Sequence, residues 1–328
     1  MNSLKSALGF VSKQAWTVSF VSSFLIILVL IPMSSRGPLE VLMSNFYLAS
    51  FVAIAALGQM IVVSTGRGAV DLSIPYTITL CVYVATITQN GKDENLFKSI
   101  LVSLAIGAFV GAINGFAVIV LRIPAMVATL AVGFIAQSVV QVLSSTAGHV
   151  GSSPAIAELS RAEFFGVSVF AIIAILTCVA VGLLLFRTPY GVRLLGTGQN
   201  DVAARLAGLK PSSTRWIAFV LSGLLAGTTA ILLGGYSGGA SLGVGAGFLI
   251  SSIAAVVLGG TLMSGGQSSV AGIFGGALFL TLLVTLTSTL DMTFGLRSII
   301  EGVVILVALG VGGTKVLNPK FKTTKPTK

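Results

Sequence analysis

The chain has 328 residues, of which 19 are Lys or Arg, 9 are Asp or Glu, and 55% are hydrophobic. Its mean hydropathy is +1.03. A water-soluble domain needs a far more polar surface, so the composition excludes one and indicates an integral membrane protein. The formal charge of +10 does not indicate nucleic-acid binding, because the basic residues are spread over loops rather than gathered in one patch.

Charge-poor runs long enough to cross a bilayer as helices recur along the whole chain. Residues 1–328 are therefore expected to form a single all-α transmembrane domain of about ten helices, with no soluble domain left over. The predicted spans cover about residues 16–34, 43–65, 72–89, 99–121, 124–144, 164–186, 215–236, 247–263, 270–290 and 296–313.

The distribution of Lys and Arg predicts the orientation of the spans, because positively charged loops stay on the cytoplasmic side. Ten spans that start inside place most of the 19 basic residues on one face. Both termini are then cytoplasmic. The same face carries the longest connection, at about 187–215, and a short basic tail at 314–328.

The connection between spans two and three reads "VSTGRGAVDLSIP", from Val63 to Pro75. One interpretation is a structured hairpin at the cytoplasmic mouth of a path, in which Arg67 and Asp71 pair because a lone buried ion is costly. The alternative is a solvated turn with one cytoplasmic arginine. The glycines on either side of Arg67 fit both interpretations.

Polar side chains inside predicted spans are the other candidates for lining a path. A lone amide or hydroxyl in lipid is costly unless it faces a neighbouring helix or water, so each of these residues either lines the path or joins helices. They are Gln59, Asn114, Thr129 and Gln137.

The loop at 187–215 contains one predicted short amphipathic helix, between Asn200 and Leu209, with Asn200 as its cap and Gly208 as its stop. It is either a connector at the lipid interface or a docking helix for a cytoplasmic partner. The candidate docking residues are Asn200, Ala203, Ala204, Arg205, Leu206 and Gly208.

The stretch "MSGGQ", from Met263 to Gln267, is similar to the signature segment of ABC ATPases. That segment works beside a phosphate loop, and the chain has no G-x-x-x-x-G-K-[ST] pattern anywhere. The glycines are instead expected to form a tight turn between spans eight and nine.

Four stretches, in order from residue 58 to residue 278, resemble the permease subunits of ribose-type ABC importers, the family shared by sugar and branched-chain amino-acid permeases. They read "GQMIVVSTGRGAVDLS", "NGFAVIVLRIPAMVATLAVGF", "GTGQNDVAARLAGL" and "IAAVVLGGTLMSGGQSSVAGIFGGAL". The third is similar to the family's cytoplasmic coupling segment. The connection from Val63 to Pro75 departs from the family pattern at Arg67 and Pro75, and its Asp71 and Ser73 join the candidate path residues.

This resemblance implies a type II permease like those of vitamin B12 importers, with ten spans and the coupling segment between spans six and seven. It implies a multi-pass subunit of the bacterial cytoplasmic membrane that imports a small polar solute, most simply a sugar or sugar-like compound. The chain would be no enzyme and would bind no cofactor or metal, since ATP and Mg bind to a separate ATPase. The alternative is an ion-coupled secondary transporter.

The resemblance also implies the partners of such a subunit. They are a cytoplasmic ABC ATPase, a periplasmic or lipid-anchored solute-binding protein, and a second permease subunit that is identical or homologous. The basic loops add membrane lipid as a partner.

Overall fold

The computed structural model describes residues 15–33, 37–147 and 151–317, and these residues are mostly helical. The helices are α1 (Ala15–Met33), α2 (Pro38–Ser64), α3 (Ile74–Gln89), α4 (Leu96–Ile119), α5 (Ala125–Ala147), α6 (Pro154–Arg161), α7 (Val169–Arg187), α8 (Pro189–Gln199), α9 (Asp201–Leu206), α10 (Pro211–Ser237), α11 (Phe248–Leu258), α12 (Val270–Thr289) and α13 (Phe294–Leu317). A 3₁₀ turn at Asp93–Asn95 precedes α4.

Within the described residues, six helices are long and apolar enough to cross a membrane: α2, α4 with its preceding turn, α5, α7, α10 and α12. A helix also lies at each of the other four predicted spans. Of these, α3 and α11 have only 16 and 11 residues. At about 1.5 Å per residue, α11 reaches roughly half of the hydrocarbon thickness. Crossing by all ten helices stays a prediction.

Several details differ from the prediction. Span six was predicted from residue 164, but α7 begins at Val169, because β1 (Glu163–Phe164) and β2 (Val167–Ser168) form a short antiparallel hairpin first. The loop after α7 holds two helices, α8 and α9, where one was predicted. The tail was predicted from residue 314, but α13 continues to Leu317. The remainder of that tail and the N-terminal 14 residues lie outside the described part.

Helices α2, α10 and α12 form the centre of the bundle. Their apolar windows are 78%, 67% and 61% buried, against 28–33% for α4, α5 and α7. The outer helices therefore present large apolar side chains to the surroundings, such as Phe109, Phe134 and Leu176. A surface of this kind is stable in lipid and not in water.

Helices α4 and α10 cross at very short range, and glycine makes this possible. A Cβ built on Gly107 would lie 2.2 Å from the carbonyl oxygen of Gly223, and one built on Gly223 would lie 1.9 Å from that of Gly107. One turn further along α4, a Cβ on Gly111 would lie 2.2 Å from the carbonyl oxygen of Phe219. Small residues thus let two backbones touch where lipid gives no hydrophobic drive for association.

We expect Gly223→Ala to destabilise the protein, because its new methyl group meets the backbone of α4 and neither helix can yield without shifting. The expected loss is about 1–3 kcal/mol, the usual range for overpacking. Thermal unfolding of the purified chain in detergent measures it. The matched control is Gly182→Ala in α7, where a Cβ meets nothing within 4 Å. Equal melting temperatures for the two variants would contradict this packing.

Candidate translocation and coupling site

The hairpin segment, residues 65–73, joins α2 to α3 and is not helical. Gly66, Arg67 and Gly68 have positive φ values of 79°, 60° and 65°, which reverse the chain direction. Two of these three positions are glycine, the residue that adopts this conformation without steric cost. Arg67 and Gly68 form an exposed tip, whereas the chain from Ala69 to Asp71 is buried. The segment is therefore a structured hairpin and not a fully solvated turn, whereas its place at the mouth of a path stays a prediction.

Asp71 lies at the centre of a buried hydrogen-bonded group, the Asp71 cluster, which consists of Gln59, Asp71, Ser73, Asn114 and Ser222. The carboxylate accepts hydrogen bonds from the Ser73 hydroxyl at 2.6 Å, the Ser73 amide at 3.0 Å and the Ser222 hydroxyl at 2.8 Å. The Asn114 amide donates to the Ser73 hydroxyl at 2.7 Å. All five residues are at most 3% exposed.

Gln59 completes the cluster through the backbone of the hairpin segment. With its amide oriented to satisfy both groups, it donates to the Asp71 carbonyl at 3.0 Å and accepts from the Asp71 N–H at 3.3 Å. Gln59 thereby replaces the helical hydrogen bonds that the broken backbone lacks. Non-helical backbone at membrane depth requires such internal partners.

Of the two remaining path candidates, only Thr129 contacts the hairpin segment. Its hydroxyl accepts from the Leu72 N–H at 3.0 Å and donates to the Ala125 carbonyl at 2.9 Å. Gln137 is half-buried two turns further along α5 and takes no part in these bonds. In this conformation Gln59, Asn114 and Thr129 tie their helices to neighbouring parts of the bundle, which was the alternative use for them. Path lining stays a prediction.

The predicted ion pair between Arg67 and Asp71 is wrong. The positive φ values at the tip keep the segment from being helical, so the four-residue spacing does not bring the two side chains together. Arg67 instead pairs with Asp201 in the connection at 187–215. Asp71 is satisfied by hydroxyl and amide donors.

The coupling segment, residues 188–210, consists of α8, α9 and their flanks. The Asn200 side chain accepts from the N–H groups of Val202 and Ala203, both at 3.0 Å, so its predicted role as the cap of α9 is confirmed. Gly208 follows the end of α9 with φ of 79°, as expected of a stop. Helix α8 was missed, although Pro189 at its first position after Thr188 is a start signal.

Asp201 binds three arginines from three parts of the chain, and these four residues are the Asp201 cluster. Its carboxylate accepts from Arg67 at the hairpin tip, from Arg205 at 2.6 Å and from Arg215 in α10 at 2.8 Å. The Asp201 and Arg215 side chains are each 10% exposed, whereas Arg67 and Arg205 are 62% and 59% exposed. Exposed pairs are worth little, so the pair with Arg215 contributes most.

The pKa of Asp201 reflects this arrangement. Partial burial raises it, but the charge of Arg215, the hydrogen bond from Arg205 and the charges of Arg67 and Arg205 together hold the pKa below its usual range. Asp201 is therefore ionised at neutral pH and can keep all three arginines.

The opposite face of α9 points away from the bundle. Val202 and Leu206, four residues apart, are 66% and 86% exposed, and Ala203 is exposed beside them. Ala204 is 5% exposed and packs inward. A short helix with an exposed apolar edge and an anchored charged edge is suited to dock another protein. Val202 was not among the predicted docking residues, although its spacing from Leu206 is the signal that identifies it.

The start of the hairpin segment, the end of α8 and the α11–α12 turn meet at a glycine junction formed by Gly66, Gly198, Gly265 and Gly266. The Gly266 N–H donates to the Ser64 carbonyl at 3.0 Å, and the Gln199 amide donates to the Gly266 carbonyl at 3.2 Å. A Cβ on Gly198 would lie 2.0 Å from the Ser64 carbonyl oxygen and 2.4 Å from the Gly266 nitrogen. The predicted tight turn at "MSGGQ" is confirmed, and it also packs on the coupling segment.

Among the residues that the structure describes, no three His, Cys, Asp or Glu side chains gather as metal ligands do. That this chain binds no cofactor stays a prediction.

Comparison with known proteins identifies one matching family and several similar proteins. The family model described as the permease component of branched-chain amino acid transport systems matches residues 41–309. The autoinducer 2 import system permease protein LsrC of Klebsiella pneumoniae is 32% identical over 90% of this chain and 84% of its own length. The ribose import permease protein RbsC of Escherichia coli is 28% identical over 92% and 96%. No solved structure matches the chain.

We expect Asp71→Ala and Ser222→Ala to destabilise the bundle by about 1–3 kcal/mol each, because each leaves buried hydrogen-bonding groups without a partner. Thermal unfolding in detergent measures the loss. Ser251→Ala is the control, since the Ser251 hydroxyl bonds locally, to the Gly247 carbonyl one turn earlier. Wild-type melting temperatures for both cluster variants would show that the cluster does not hold the hairpin segment.

Proposed function

The chain belongs to the family of permease components of branched-chain amino acid transport systems, and on this premise we propose that it forms the translocation path of an ABC importer for a small sugar-like solute. It is a multi-pass transport subunit of the bacterial inner membrane and not an enzyme. The similarity to permeases for autoinducer 2 and for ribose supports a sugar-like solute.

The observation that carries the proposal is the anchored coupling segment. An ABC permease must receive force from a separate motor and pass it to its membrane helices. Helix α9 offers an exposed apolar edge at Val202 and Leu206. Its other edge is tied through Asp201 to α10 and to the hairpin segment. Force applied to α9 therefore has a short, tightly packed route into the bundle.

The finer architecture is part of the same proposal. We propose ten crossings with both termini cytoplasmic, in the type II arrangement, and a second permease subunit facing this one across the path. The helices at all ten predicted positions and the positively charged end of the bundle support it. The short helices α3 and α11, with irregular backbone next to each, resemble the broken helices from which transporters build paths.

The Asp71 cluster is the proposed polar lining of the path near its cytoplasmic end, reached by solute when the helices around it separate. Asn114 supports this role, because its side-chain oxygen is buried without a hydrogen-bond partner in the described residues. A solute hydroxyl would satisfy that acceptor.

The proposed partners are a cytoplasmic ABC ATPase, which binds ATP and Mg, and a periplasmic or lipid-anchored solute-binding protein. The test is reconstitution of this chain in proteoliposomes with the ATPase and binding protein of its own organism. Uptake of labelled ribose or related sugars should require all three proteins and ATP, and should persist when a protonophore collapses the ion gradients. Uptake that needs no ATPase and stops with the protonophore would identify an ion-coupled secondary transporter instead.

We expect Leu206→Glu to weaken binding of the ATPase by at least about tenfold, because a charge replaces a central apolar contact. Co-purification with the ATPase measures the effect. The matched control is Leu39→Glu. Leu39 is 67% exposed and lies at the N-terminal end of α2, far along that helix from the hairpin segment. If both variants recover the same amount of ATPase, α9 is not the docking helix.

A further inference from the structure

A cavity of about 950 Å³ lies beside the Asp201 cluster, between the α4–α5 turn, the hairpin tip and the start of α10. Five of its lining residues are cationic and none is acidic. The cations are Arg67, Arg122, Arg205, Lys210 and Arg215. Asp201 neutralises at most one of these charges, so the cavity keeps a strong positive potential that attracts an anion.

Arg215 lines this cavity and carries a donor that the described residues do not use. Its side chain is 10% exposed, and its terminal nitrogen bonds to Asp201 at 2.8 Å. Its Nε–H group is buried and has no hydrogen-bond partner in the described residues. A buried N–H of a charged group without an acceptor is costly, so an acceptor from outside the chain would be favourable here.

The N-terminus of α10 points at the same place. Helix α10 has 27 residues, begins with Pro211 and has no side-chain cap. Ser212 and Ser213 in its first turn line the cavity. The first N–H groups of a helix have no partner within it, and the helix dipole favours an anion at this end. Together with Arg215 these groups form a phosphate-binding arrangement.

One wall of the cavity is apolar, which indicates an anion that carries a hydrocarbon part. Val118, Ile119 and Ile123 belong to it. The wall lies next to the exposed apolar side chains of Val120, Leu121, Met126 and Val127. A free phosphate ion would gain nothing from such a wall, whereas a phospholipid would place its acyl chains along it.

We propose that this cavity binds the phosphodiester headgroup of an anionic phospholipid. The Arg215 Nε–H and the first turn of α10 hold the phosphate, while Arg122 and Lys210 supply the charge that selects an anionic headgroup. Neither Arg122 nor Lys210 forms an ion pair within the described part of the chain, so both are available for this contact. The membrane leaflet follows from the proposed orientation, but the site itself does not depend on it.

The test titrates the full-length purified chain in detergent with phosphatidylglycerol and measures thermal unfolding, together with retained lipid by native mass spectrometry. Phosphatidylglycerol should raise the melting temperature. Zwitterionic phosphatidylcholine and inorganic phosphate should raise it far less. In the variant with Arg122→Gln and Lys210→Gln, the apparent Kd for phosphatidylglycerol should rise about thirtyfold, and with Lys210→Gln alone about fivefold.

The matched control carries Arg187→Gln and Arg193→Gln, two exposed arginines at the same end of the bundle that do not line the cavity. It should keep the wild-type Kd. Equal losses in both double variants would mean general surface attraction and would overturn the proposal. A rise in melting temperature with phosphatidylcholine equal to that with phosphatidylglycerol would also overturn the proposal. An equal rise with inorganic phosphate would overturn it as well and would indicate a free-anion site.

A cavity variant that binds the lipid normally but fails to bind the ATPase would assign these residues to the protein contact, and would also overturn the proposal. The lipid measurements need neither the ATPase nor a solute. Their failure would leave the proposed transport function unaffected, and the failure of ATP-driven uptake would leave the lipid site unaffected.

Discussion

The Asp201 carboxylate joins α9 of the coupling segment to the membrane bundle. It is ionised, largely buried and bonded to arginines from the hairpin tip, its own helix and the start of α10. Removing one partner of a buried ion pair is far more damaging than the pair's net contribution suggests, because the other charges remain without compensation. Helix α9 has only 6 residues and could not hold its place by packing alone.

Two further sets of contacts, the glycine junction and the Asp71 cluster, lie between this cluster and the rest of the bundle. Each gives backbone N–H or C=O groups hydrogen-bond partners within the protein. The glycine junction brings the end of α2, the end of α8 and the α11–α12 turn into backbone contact. The Asp71 cluster then fixes the hairpin segment to α2, α4 and α10. The coupling segment and the broken part of the bundle therefore form one tightly packed body, which suits a part that transmits force.

The sequence predicted a helix at each of the ten spans, the cap at Asn200, the stop at Gly208 and most members of the Asp71 cluster, because hydropathy, capping and isolated intramembrane polar groups are local signals. It did not predict the partner of Arg67, since 134 residues separate it from Asp201 and no spacing rule covers such a distance. Ser222 was missed because a serine in an apolar helix usually bonds its own backbone. The basic cavity combines distant residues, so only the folded chain reveals it.

The most direct test of the central claim compares transported solute per ATP hydrolysed in proteoliposomes for the wild type and for Asp201→Asn. The exposed acid Glu94, changed to Gln, is the control. If the Asp201 cluster transmits the motion of α9, Asp201→Asn should still bind the ATPase and hydrolyse ATP but should lose most of its transport per ATP, while the control behaves as the wild type. An unchanged ratio for Asp201→Asn would contradict the account.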